Sequence, residues 1–102
     1  MFGMMRNPAQ SYAKVGLEVA VETASPHKLI LMLFDGAIAA INIAKFELEA
    51  GDIPKKGASI SKAIDIVSNG LRASLDVEAS GELGERLAAL YDYMVQRLLF
   101  AN

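Results

Sequence analysis

Ser25 and Pro26 open a stretch that stays largely apolar until Gly51, and no other feature of the chain restricts its fold as strongly. A serine side chain can accept one of the backbone N–H groups left free at a helix start. Proline suits the first helical position because its missing donor has no intrahelical partner there. A helix is therefore predicted from 25 to about 50, ending at Gly51, which fits the left-handed position just past a helix end. The six apolar residues 29–34, with Ala37, Ile38, Ala40, Ile41, Ile43, Ala44 and Leu48, surround most of that cylinder. Such a helix is suited to packing on two or three neighbours, and it is read as the central one.

The remaining segments are mostly helical in pattern. Gly51, Asp52, Ile53 and Pro54 read as a turn. From about 56 to 78, Ile60, Ala63, Ile64, Val67, Leu71, Ser74 and Leu75 recur at spacings of three and four. Ser61, Lys62, Asp65, Asn69, Arg72 and Asp76 fall outside that stripe, and Gly70 is a soft point or a site of close packing. Ala79, Ser80 and Gly81 form the next break. A last helix is predicted from about 82 to the end, with Leu83, Leu87, Leu90, Tyr91, Met94, Val95, Leu98 and Leu99 inward. Short loops make sequential helices antiparallel, so the expected fold is all-α, an up-and-down bundle forming one domain over 1–102. Before it, Phe2, Met4, Met5 and Arg6 lead into Asn7 and Pro8, and the first 24 residues read as a cap segment. Val15, Leu17, Val19 and Val21 alternate with period two as well as fitting a helix. A lone strand would have no partner, so an extended or helical cap on the bundle is expected there.

Composition excludes several classes of function. With no cysteine and one histidine among 102 residues, disulfides and thiolate metal sites are ruled out. A net charge of −2, with basic residues spread along the chain, argues against a surface that tracks nucleic-acid phosphates. Asp35 and Asn42 interrupt the apolar run 29–44, which is shorter than the roughly 20 residues of a membrane span, so no membrane insertion is expected. The first ten residues hold no continuous apolar stretch of the secretory type, consistent with a cytoplasmic chain. No glycine-rich phosphate loop, G-x-S-x-G or H-E-x-x-H motif is present, and no enzyme activity or cofactor is expected.

His27, near a helix N-terminus, reads as an exposed or capping side chain rather than a pH-sensitive contact. Asp35 is the lone acid in the apolar run and is expected to be paired or pointed outward, since an isolated buried carboxylate is costly. A di-iron site would need Glu-x-x-His motifs, and none occurs. Met32, Met94, Phe34, Tyr91 and Tyr93 carry adaptable or aromatic side chains suited to varied partner helices, with plain core packing as the other reading. Tyr91 and Tyr93 are two apart and cannot both face inward. The apolar pattern is still running at Leu98, Leu99 and Phe100, so a groove left between helices would bind a partner or self-associate.

The order and spacing of several runs resemble one family. These are Tyr12 with Val15; Glu22, Thr23, Ala24, Ser25, Pro26, His27, Lys28, Leu29 and Ile30; and Met32, Leu33, Phe34, Asp35, Gly36 and Ala37. They continue with Gly51, Asp52, Lys56, Gly57, Ser61, Lys62, Ala63, Ile64, Asn69, Gly70 and Leu71, then Gly81, Glu82, Leu83, Tyr91, Asp92, Tyr93, Met94, Arg97, Leu98 and Leu99. Together they are similar to the flagellar secretion chaperone family FliS over nearly the whole chain.

The resemblance implies an antiparallel four-helix bundle that binds the disordered C-terminal segment of flagellin, prevents premature polymerisation and assists delivery to the flagellar export gate. It implies a movable N-terminal cap around Tyr12. It also implies a further amphipathic helix after the position of Asn102, without which a homodimer or helix exchange is expected. Tyr12, Val15, Met32, Phe34, Ile38, Tyr91, Met94 and Leu98 are the residues expected to contact the partner. The competing expectation is a self-assembling structural bundle with no client.

Overall fold

The computed structural model describes residues 17, 19, 21 and 23–102. Leu17, Val19, Val21 and Thr23 are helical, and the three apolar side chains are exposed. The period-two alternation there therefore reflects neither a strand nor a buried face. Tyr12 and Val15 lie outside the described residues.

Three long helices follow, and no strand occurs among the described residues. The first, α1 (Pro26–Glu49), starts where the Ser25 hydroxyl accepts the Lys28 N–H at 3.1 Å. It ends before Gly51, whose φ of 78° lies where only glycine is unstrained. By length and composition α1 could also cross a bilayer, but here it is the spine on which the other elements pack.

The second helix, α2 (Ile53–Asp65), begins earlier than its apolar periodicity indicates. The reason is a cap: the Asp52 carboxylate accepts the Lys55 N–H at 3.2 Å, and Pro54 occupies the first turn. α2 runs directly into a π-helical segment, Ile66–Arg72, so the regular helix expected as far as 78 stops early. The widened turn is visible where the Ala73 N–H reaches the Ser68 carbonyl at 3.2 Å, five residues back.

The third helix, α3 (Val77–Ala101), opens on Asp76, whose carboxylate accepts the Ala79 N–H at 3.1 Å. Its first turn is set off by Gly81, at φ 61° and ψ −137°, and the continuous helix begins at Glu82. The break expected at 79–81 is thus a kink at Gly81 preceded by one capped turn.

Contacts along the helices fix the topology. α1 and α2 run in opposite senses, since Glu47 near the end of α1 accepts a hydrogen bond from Ser59 near the start of α2 (2.5 Å), while Leu33 and Gly36, nearer the start of α1, meet Gly70 and Ile66. α2 and α3 are also antiparallel: Lys56 Nζ donates to the Ala101 carbonyl at 3.3 Å, and Arg72 pairs with Asp92 at 3.2 Å. α1 and α3 are consequently parallel. Each packs on α2 and the π-helical segment, and the two barely approach each other directly.

The core is small and sits at the π-helical level. Ala37, Val67, Leu71 and Tyr91 are buried together, with Leu33, Phe34, Leu87 and Met94 packed around them. Val67 and Leu71, four residues apart, are the largest fully buried side chains. Leu83, Leu90 and Leu99, expected inward, are instead exposed (66%, 49% and 59%). Among the described residues α3 packs mainly on α2 and the π-helical segment, so the apolar residues that flank its buried line are left outside. Tyr91 is buried and Tyr93 is exposed, as their spacing requires. Asp35 points to solvent and His27 is exposed in the first turn of α1.

Candidate functional site

The open space between α1 and α3, opposite α2, is the candidate site. Two adjoining troughs share Ile41 of α1 and Leu98 of α3. One continues over Ala44, Leu48 and Ala101, with Ile60 of α2 beneath it. The other runs along α3 past Met94 and Tyr93. Lys45, Lys56 and Arg97 stand among these apolar residues.

The walls follow from helical spacing. On α1, Leu31, Phe34, Ile38, Ile41, Lys45 and Leu48 alternate steps of three and four, which places them along one line. On α3, Leu83, Leu87, Leu90, Met94, Leu98 and Ala101 are likewise spaced by threes and fours, with two successive steps of four from Leu90 to Leu98. Ile41, Leu48, Leu98, Met94 and Ala101 fix both lines to the groove. Leu31, Ile38, Leu48, Leu83 and Leu90 are exposed. The side of α1 facing α2 is different: Gly36 and Ala40 allow close approach, with Ile66 at 3.5 Å from the position a Gly36 Cβ would take.

The residues predicted from sequence fall into three groups. Met94 and Leu98 line the groove, and Ile38, 55% exposed, lines neither trough but stands one turn before Ile41 on α1. Phe34 and Tyr91 pack on each other beneath its upper end, with ring centroids 6.2 Å apart and planes tilted by 51°. They belong to the core rather than to the lining of either trough, and Tyr91 is almost wholly buried. Met32 is half-buried and six residues from Ile38, about 240° of helical rotation, so it lies on another side of α1. Sequence reasoning missed Ile41, Lys45, Leu48 and Arg97 as lining residues, while Tyr93, singled out for its aromatic side chain, lies in the trough along α3. The three-and-four spacing through Ile38, Ile41, Lys45 and Leu48 is the signal that finds three of the four missed.

Two further features fix the ends. At the C-terminal end of α3, Lys56 holds the Ala101 carbonyl, and the Asn102 amide donates to Ser61 at 3.5 Å. These contacts tie α3 to the start of α2 and set the width of the groove there. At the other end, Gly81 separates Leu83 from the capped first turn. That turn packs tightly: a Cβ at Gly84 would lie 2.5 Å from the Ser80 Cβ. Chemically the groove offers apolar burial and positive charge. Among the described residues no cluster of histidine, aspartate and glutamate is arranged to hold a metal.

Comparison with known proteins gives this geometry a setting. Residues 8–102 match the family model described as Flagellar protein FliS. The chain is 55% identical over 93 residues to the flagellar secretion chaperone FliS of Salmonella typhimurium, covering 91% of this chain and 69% of that one. Identity to the protein of the same name from Escherichia coli is 50% over 93 residues, covering 91% and 68%. The Bacillus subtilis protein of that name is 32% identical over 98 residues, covering 96% of this chain and 68% of its own length.

Proposed function

We propose, from the premise that the chain belongs to the FliS family of flagellar secretion chaperones, that its role in flagellar export is performed by the groove between α1 and α3. The family is one of chaperones rather than enzymes. The client in this reading is the disordered C-terminal segment of flagellin, held in the cytoplasm so that it does not polymerise, and then passed to the export gate. The observation that carries it is the pair of apolar lines facing an open slot: Ile41 and Leu48 on one wall, Met94 and Leu98 on the other. A disordered client gains burial there by becoming helical, and its affinity is lowered by the cost of that ordering.

In the same reading the described helices supply three members of a four-helix arrangement. Met94, Leu98 and Ile38 contact the client directly, and Phe34 and Tyr91 hold the wall in place. Met32, Tyr12 and Val15 act elsewhere, the last two within an N-terminal cap segment over residues 1–24.

The test is calorimetric titration of the chain with the flagellin C-terminal segment at two temperatures. One-to-one binding with a negative heat-capacity change is expected. Absence of heat at both temperatures, with the chain monomeric by sedimentation, would refute it.

A further inference from the structure

Where α2 passes into Ile66–Arg72 the backbone widens into a π form, although the segment holds no proline that would bar an ordinary helix. The cause lies in what the segment touches. Leu71, 1% exposed, is clustered with Ala37, Val67 and Tyr91 in the core. Next to it, Arg72 Nε lies 3.2 Å from the Asp92 carboxylate of α3. On the α1 side Gly70 has no side chain, and Leu33 Cδ2 stands 3.0 Å from where a Cβ would be.

An α-helical form of the same residues would break these contacts. A π turn holds about one residue more than an α turn, so closing the segment from its α2 end turns its far residues by one position, about 100°. Leu71 would then leave the core, Gly70 would take its place without filling it, and Arg72 would swing away from Asp92. Both forms hydrogen-bond the backbone, so side-chain contacts decide between them, and here they favour the π form. The connection that follows can take up the displacement, because Ala73 and Ser74 form a turn and Leu75 and Asp76 are not helical.

We propose that Ile66–Arg72 is a conformational switch: its π form latches α3 to the core through Leu71 and Arg72, and a minor α form releases both. The joint between α2 and α3 thereby loosens at the level of the core while both helices persist. The switch depends neither on the client nor on what lies between α1 and α3.

NMR on the chain tests this. Scalar coupling across hydrogen bonds should pair the Ala73 N–H with the Ser68 carbonyl, 3.2 Å away and five residues back. Relaxation dispersion, which reads exchange on the μs–ms scale, should find a second state populated at about 0.1–10%. Its exchange should centre on residues 66–74, with Cα shifts that stay helical over 66–72. Asp92→Asn weakens the latch at an exposed side chain and should raise that population about two- to fivefold. Gly70→Ala adds a methyl group that meets Leu33 in the π form and enters the vacated core in the α form, so it should raise the population further and move the Ala73 coupling to Asn69. Coupling of Ala73 to Asn69 in the parent would overturn the proposal. So would exchange that is absent from the parent and both variants, a population that neither variant changes, or random-coil shifts in the minor state, which would signify local unfolding instead.

Discussion

The two sides of α1 treat apolar residues in opposite ways. Towards α2 and the π-helical segment, Gly36 and Ala40 lie on the side where Ala63 and Val67 have no exposed surface. Towards α3, the same helix carries Leu31, Ile38 and Leu48, all large and all exposed. Small residues let two helices approach until nothing between them meets water. Large ones on the other side have no helix close enough to cover them. In this chain burial depends on the distance to the neighbouring helix more than on side-chain size, which is why alanines form much of the core.

That contrast can be broken from the closed side first. Leu71→Ala removes the largest fully buried side chain and should lower stability by about 2–5 kcal/mol, read as a drop in the urea midpoint at unchanged slope. Next comes Gly70→Val. A Cβ there already falls 3.0 Å from Leu33 Cδ2, so the extra methyl groups push α1 away from the π-helical segment. A loss of about 1–3 kcal/mol is expected, with weakened client binding as the wall moves. Ser25→Ala acts on both sides equally, by removing the acceptor for the Lys28 N–H, and should cost about 1 kcal/mol in thermal or urea unfolding. The smallest effect on stability belongs to the open side: Ile38→Ser should change unfolding by less than about 0.5 kcal/mol yet weaken the flagellin segment by several-fold. Equal loss of stability from Leu71→Ala and Ile38→Ser would erase the distinction between the two sides.

The helices were legible in the sequence wherever a cap or a stop carried its own chemistry. Ser25 with Pro26, Gly51 and Gly81 each mark a boundary that the structure keeps. Asp52 and Asp76 are equally informative caps, whereas apolar periodicity alone places the start of α2 later than Ile53 and its end beyond Asp65. The π-helical turn left no periodic signal, since Val67 and Leu71 have the spacing of an ordinary helix. For the site, the apolar surplus was readable and its location was not. A leucine that faces a neighbour and a leucine that faces an empty slot look alike until the neighbours are placed, and Leu83, Leu90 and Leu99 were misassigned for that reason.

The π-helical segment has a consequence for how the chain can change length. A π turn holds about one residue more than an α turn in the same space. Removing one residue between Ile66 and Arg72 would let the segment close into regular α-helix, with α2 before it and α3 after it keeping their faces. The same deletion in α1 would rotate every later side chain by about 100°, turning the groove wall towards solvent. The bundle thus contains one place where a residue can be lost without re-registering either interface, and that place is the level of its core.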